Sequence, residues 1–116
     1  MKLFITRIIP DAGLQLLRGA GIEISQWTEK RDLTARELID HCKQADALLS
    51  AGGNRIDQSF LSACSHLKVI SLHSVGYDRV DVPAATALKI PVGNTPGVLS
   101  DATADIAFLL ILATSR

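Results

Sequence analysis

Short apolar runs rich in β-branched residues alternate along this chain with amphipathic stretches, and turn-forming residues separate them. Leu3 to Ile9 reads as a strand that Pro10-Asp11 ends. Ala12 to Arg18 follows as an amphipathic helix, with Gly19 and Gly21 as its stop. Ile22 to Trp27 reads as a second strand, and Thr34-Ala-Arg-Glu37 has the hydroxyl-to-carboxylate spacing of a capping box, predicting a helix through Lys43. Asp46 to Ser50 is a short strand that runs into the loop AGGN. Gln58 to Ser65 then reads as a helix, Leu67 to Leu72 as a buried strand, Val82 to Leu88 as a helix around Pro83, and Ile90 to Val92 as a last strand. After NTPG, Ser100 or Asp101 is placed to cap a final helix, and Asp101 also suits the positive end of its dipole.

Five strands alternating with helices, joined by short loops and without hairpin dipeptides, predict an α/β domain: a flavodoxin-like, doubly wound, parallel five-stranded sheet covered on both faces. Ligands in such sheets gather beyond the carboxyl ends of the strands. Four loops therefore carry the functional expectation: Thr6 to Asp11, Ser50 to Asn54, Ser74 to Asp78 and Asn94 to Gly97. The final helix breaks the pattern. Ile106 to Ala113 are eight consecutive apolar residues, apolar on every side of a helix, and they demand burial on every side.

Length and composition narrow the picture. At 116 residues, 47% hydrophobic and 21% charged, the chain has the size and make-up of one soluble globular domain. Twelve basic and twelve acidic residues cancel and no Lys/Arg cluster forms a phosphate-binding face, so no nucleic-acid partner is expected. The closing apolar run falls well short of the roughly 20 residues of a membrane span, so no membrane partner is expected either. No export signal is visible, and Cys42 and Cys64 lack CxxC or Cys/His ligand spacing, so two reduced, buried thiols in a cytoplasmic protein are expected, with no metal site.

Each candidate for chemistry has a bland competitor. Gly19-Ala-Gly21 resembles the start of a dinucleotide fingerprint, but it follows a helix and position 24 is Ile, so it reads as a helix cap. In HSVGYD, Gly76 either lets a small carboxylate approach the free N–H groups of an anion-binding nest or merely permits a tight turn. Tyr77 is expected to pack its ring with a tethered hydroxyl, Asp78 to cap the next turn, and Arg79 to be solvated or to face an anionic substrate. His41 and His66 are expected at the surface. His73, at the end of a buried strand, either touches a ligand or serves as a hydrogen-bonded core residue. Thr103 faces the site or simply caps.

Taken together, LLSAGGNRID, LKVISLHSVGYDRVDVPAATALKIPVGNTPGVLSDATAD and the apolar helix behind them resemble the NAD(P)-dependent D-2-hydroxyacid dehydrogenases, and NTPGVLSDATAD resembles the glyoxylate/hydroxypyruvate reductase branch most. The resemblance implies a two-domain, homodimeric enzyme that transfers hydride between nicotinamide and a small 2-oxo or 2-hydroxy acid. Residues 1–99 would be its substrate-binding domain, and residues 100–116 the start of an interdomain helix leading to a Rossmann domain that holds NAD or NADP. It implies that the N–H groups of Val75 and Gly76 bind the substrate carboxylate, that Ser50, Ala51, Gly52 and Gly53 line the pocket, and that Thr103 approaches the nicotinamide; His73, a substrate-binding candidate by its position, departs from the family pattern and bears on the shape of the pocket. The Arg, His and Glu that act in catalysis in this family would lie beyond Arg116, so no catalytic residue is assigned and the 116-residue chain alone is expected to be inactive. With its last helix bare, it is expected to self-associate.

Two other classes fit less well. A response-regulator receiver needs acidic residues where this chain has Thr6-Arg-Ile-Ile-Pro10 and SAGG. A dehydrogenase-fold interaction protein of the corepressor kind would keep cofactor binding and act through partner contacts.

Overall fold

A computed structural model describes residues 1–115. The elements are β1 (Lys2–Ile5), α1 (Asp11–Gly19), β2 (Glu23–Gln26), α2 (Ala35–Cys42), β3 (Ala47–Ser50), α3 (Gln58–Ala63), β4 (Val69–Leu72), α4 (Val82–Ala87), β5 (Val92–Gly93) and α5 (Ser100–Thr114). All strand pairs are parallel, in the order β2-β1-β3-β4-β5, so the strand order reverses beside β1 and β3, where doubly wound sheets place their ligands.

Side chains along a strand point alternately to the two faces of the sheet, and this divides the core. Phe4, Leu48 and Ile70 pack with Leu38, Phe60 and Leu61 into the larger cluster. Leu3, Ile5 and Ala47 pack with Leu14 of α1 into the smaller one. The free thiols of Cys42 and Cys64 belong to the larger cluster, and burial pushes both up from the ordinary thiol value, which suits inert filling rather than reactivity.

The capping box at the start of α2 is complete. Glu37 N–H donates to Thr34 Oγ1, and Thr34 N–H donates to the Glu37 carboxylate at 2.8 Å. Arg31 adds two hydrogen bonds of 2.8 Å to the same carboxylate while lying 4.9 Å over the Trp27 ring. Arg31 first, and then the Thr34 N–H, hold the Glu37 carboxyl at about 2, against its ordinary 4.5. A depressed acid contributes its stabilisation above its free value and loses it as pH falls through the folded value. Urea-unfolding midpoints should therefore fall between pH 4.5 and about 2, and Glu37→Gln should flatten that part of the profile. A variant profile as steep as that of the natural chain would refute the assignment.

Several boundaries shift from the sequence expectation, and three of the differences have a local physical reason. β1 stops at Ile5 rather than Ile9, because the Thr6 hydroxyl engages the backbone of Ala51 in place of a continued ladder. β5 begins at Val92 rather than Ile90: Ile90 N–H returns to the carbonyl of Ala85, past Lys89 at φ 58°, and closes the end of α4 instead. Neither Ser100 nor Asp101 caps α5. The cap position is Leu99, already near helical geometry at φ −108°, ψ −4°, with no side-chain cap bond, and an N-cap side chain needs extended backbone to reach back. α5 itself has no buried residue, and Phe108 and Ile111 are each more than 60% exposed.

Candidate functional site

Because every strand is parallel, the four loops singled out in the sequence lie together at the carboxyl end of the sheet. Thr6 joins the first two. Its buried hydroxyl donates to the Ala51 carbonyl at 2.7 Å and accepts from the Ala51 N–H at 2.8 Å. Ala51 thus has both its backbone groups satisfied, and it packs into the smaller core cluster rather than lining the cavity. Ser50 is buried beside it, and its carbonyl accepts from His73 N–H at 2.9 Å, which fixes the third loop against the second.

The Gly52-Gly53 turn is built for close neighbours. Gly52 has φ +110°, which L side chains rarely adopt, and a Cβ there would lie 2.5 Å from Arg7 Nε. Asp32 accepts from Arg7 Nη2 at 2.6 Å and from Gly53 N–H at 3.3 Å. These two bonds hold the Asp32 carboxyl below its ordinary value. Asn54 follows, 92% buried; its Nδ2 donates to the Leu33 carbonyl at 2.8 Å, while Oδ1 has no partner among the described residues.

In the loop after β4 the carbonyls are turned toward protein donors. Ser74 Oγ donates to the Gly76 carbonyl and Asn94 Nδ2 to the Val75 carbonyl, each at 2.8 Å, and Thr95 N–H donates to the Ser74 carbonyl at 3.0 Å. The N–H groups of Val75, Gly76 and Tyr77 donate to no acceptor among the described residues. Gly76 and Tyr77 line a cavity of about 170 Å³ whose walls also include Ser50, Gly52, Asn54, Asp78 and Arg79, whereas Val75 lines a separate recess beside α5. Successive open amides of this kind suit an anion. Gly76 is not in the left-handed region, so a tight left-handed turn is not its reason. A Cβ there would lie 2.9 Å from Asp78 Oδ1.

Two expectations for this loop fail. Tyr77 is 58% exposed and its hydroxyl is tethered to nothing among the described residues. Asp78 caps no turn; Asp81 does so, accepting from Ala84 N–H at 3.0 Å at the start of α4. The reason is register: the Ile56–Val80 bridge pins the chain between them.

The other predicted residues divide. Gly53 lies in the neighbouring groove toward α2 and α3, with Asn54. Val75 and Thr103 line an open recess of about 520 Å³ formed with the first turns of α5. His73 is exposed and lines neither space. His41 stacks flat on Phe4 at 4.7 Å and meets Trp27 edge-on at 5.6 Å, and His66 Nε2 donates toward the Cys42 and Ala45 carbonyls at 3.0 and 3.1 Å. Both are structural. Among the described residues no group of His, Cys, Asp and Glu is arranged to hold a metal ion, and no helix is long and apolar enough to cross a membrane.

Comparison with known proteins gives this chain a family. Residues 3–114 match the family model of the D-isomer specific 2-hydroxyacid dehydrogenase catalytic domain. The glyoxylate reductases of Pyrococcus furiosus and Thermococcus kodakarensis are 43% and 42% identical over 115 residues, which is 99% of this chain and 34% of each relative. The chain thus spans about a third of the length of these curated relatives. Among solved structures, the TT0316 protein from Thermus thermophilus superposes with a TM-score of 0.92 at 38% identity, over 100% of this chain and 37% of that one. The NAD+-bound 3-phosphoglycerate dehydrogenase of Entamoeba histolytica shares the fold, with a TM-score of 0.79 at 24% identity over 96% of this chain and 38% of that one. With its five-stranded parallel sheet and its match along nearly the whole length, the chain belongs to the D-isomer specific 2-hydroxyacid dehydrogenase family.

Proposed function

We propose that this chain is the substrate-binding part of an NAD(P)-dependent oxidoreductase that reduces a small 2-oxo acid, glyoxylate or hydroxypyruvate being the leading candidates. The observation that carries this reading is the run of open N–H groups at Val75 and Gly76, of which Gly76 lines a small cavity at the carboxyl end of the sheet and Val75 the recess beside α5. Those amides would hold the substrate carboxylate through charge-assisted hydrogen bonds. Ser50 and Gly52, which line that cavity, would confine the rest of the molecule, with Gly53 setting the turn behind them, and a cavity of about 170 Å³ favours an acid of few carbons.

NAD(P)H supplies the hydride when bound. The described residues contain no glycine-rich strand-to-helix turn to cradle its phosphates, so its main binding site is assigned to a Rossmann domain that follows residues 100–116 in the whole protein. The recess shared by Val75 and Thr103 suits the edge of the nicotinamide that must approach the substrate. The family resemblance assigns the general acid to the same downstream domain, and this is consistent with His41 and His66 being engaged elsewhere and His73 lining neither space. The bare apolar surface of α5 would be covered there or by a second copy in a homodimer, and the two free thiols suit the reducing cytoplasm.

The test compares the full-length protein with the 116-residue chain, each supplied with NADH or NADPH and glyoxylate or hydroxypyruvate. Sustained nicotinamide oxidation is expected from the full-length protein and none from the short chain. Turnover by the short chain would overturn the division of labour. A full-length protein that binds NAD(P)H but reduces no 2-oxo acid would overturn the enzymatic reading in favour of an interaction protein on the same fold.

A further inference from the structure

Arg79 belongs to the loop after β4, yet its guanidinium Nη1 donates to the carbonyl of Gly53, in the loop after β3. The same peptide segment is gripped from its other side, where Gly53 N–H donates to Asp32 Oδ1 at 3.3 Å, and Asp32 is in turn held by Arg7 at 2.6 Å. Four loops, one after each of β1 to β4, therefore meet at a single glycine. The fit is close: a Cβ on Gly53 would lie 2.6 Å from Asp32 Oδ2 and 3.0 Å from Arg79 Nη1, so a side chain there would push these two partners aside.

The backbone around Arg79 is itself anchored. Ile56 N–H donates to the Arg79 carbonyl at 2.9 Å, and Asp81 N–H donates to the Ile56 carbonyl at 2.9 Å. The root of the side chain is thus fixed relative to the loop that its tip binds. Arg79 also lines the cavity together with Gly52 and Gly76, so a bond across the two loops fixes how far apart the cavity walls stand. A guanidinium is suited to this because its donors are rigidly disposed and its charge is permanent.

We infer that Arg79 is a positioning residue, which sets the width of the substrate cavity by tying the Gly52-Gly53 turn to the Val75-Gly76 amide loop. This deepens the functional reading above and rests on it for its kinetic part. Loss of the tie lets the Gly-Gly wall drift from the carboxylate site, and displacements of about 1 Å in a positioned reactant cost up to about 100-fold in rate.

The test uses the full-length protein with Arg79→Met and Arg79→Lys. Arg79→Met is expected to raise KM for the 2-oxo acid roughly 10-fold, a tenth of the rate range for such displacements, with KM for NAD(P)H unchanged. Arg79→Lys, which keeps one charged donor, should recover part of the loss. Amide hydrogen exchange is measured on the same variants, over the peptide that contains residues 50–56. Faster exchange there in Arg79→Met, restored toward natural rates in Arg79→Lys, is expected whether or not the protein turns over. Unchanged exchange overturns the tie, and faster exchange with an unchanged substrate KM overturns its role in setting the cavity. A full-length protein inactive on every 2-oxo acid overturns the functional reading instead, and the exchange data still decide the tie.

Discussion

Gly76→Val in the full-length protein is expected to lower kcat/KM for the 2-oxo acid about 100-fold, with the KM for NAD(P)H unmoved. The β-branched side chain would stand against Asp78 Oδ1, which already lies 2.9 Å from where a Cβ would be, and would crowd the approach to the amides of Val75 and Gly76. A hydrogen bond to a charged group contributes about 1.5–3 kcal/mol, and each 1.4 kcal/mol is tenfold, so weakening one or both bonds to the carboxylate gives an effect of that size. Gly76→Ala is the informative control. Asp78 Oδ1 is the end of a flexible side chain and can give way, so alanine should fold normally and cost only a few-fold. Steady-state kinetics decide the matter: a valine variant within about threefold of the natural enzyme would remove the amide pair from the binding site.

Phe4→Ala is expected to destabilise the domain by about 3–5 kcal/mol, the range for truncating a buried aromatic. Phe4 is 1% exposed in β1, at the centre of the larger core, with the His41 ring stacked on it at 4.7 Å. Domain stabilities are about 5–15 kcal/mol and urea slopes about 1–3 kcal/mol per molar. The urea midpoint should therefore move down by about 2 M. The exposed Leu16 in α1, 78% accessible, provides the contrast, since Leu16→Ala removes little packing and should stay within about 0.5 kcal/mol. Equal midpoints for the two variants would show that the larger cluster is not where the domain holds its stability.

The layered architecture was legible because its signals are local. The Thr34–Glu37 capping box, the short apolar runs at Leu48 and Ile70, and the Gly21 stop at φ +73° each express a short-range preference that the fold kept. The glycines of AGGN and SVG pointed, for the same reason, to loops that the parallel sheet gathers at its carboxyl end. What stayed hidden was long-range. Nothing in the sequence neighbourhoods of Arg7, Asp32, Gly53 and Arg79 announces that they meet, because a parallel sheet brings together loops that are far apart in the chain. The role of Asp81 as the cap of α4, in place of Asp78, was set by the Ile56–Val80 bridge, which no residue-by-residue preference reveals. The failed cap of α5 has a similar origin: Gly97 at φ +79° starts a turn that already carries Leu99 near helical geometry, leaving Ser100 inside the helix.

The position of β1 inside the sheet, with β2 on one side and β3 on the other, has a consequence for how the protein is made. β1 leaves the ribosome ahead of its partners and cannot complete its ladder until Ala47–Ser50 have been synthesised, because Leu3 pairs with Ala47 and Ile5 with Leu49. At translation rates of about 5–20 residues per second, Leu3, Phe4 and Ile5 spend seconds as an unshielded apolar strand. That interval is when a nascent-chain chaperone would find its target, and synonymous codons that slow translation between α1 and β3 would lengthen it.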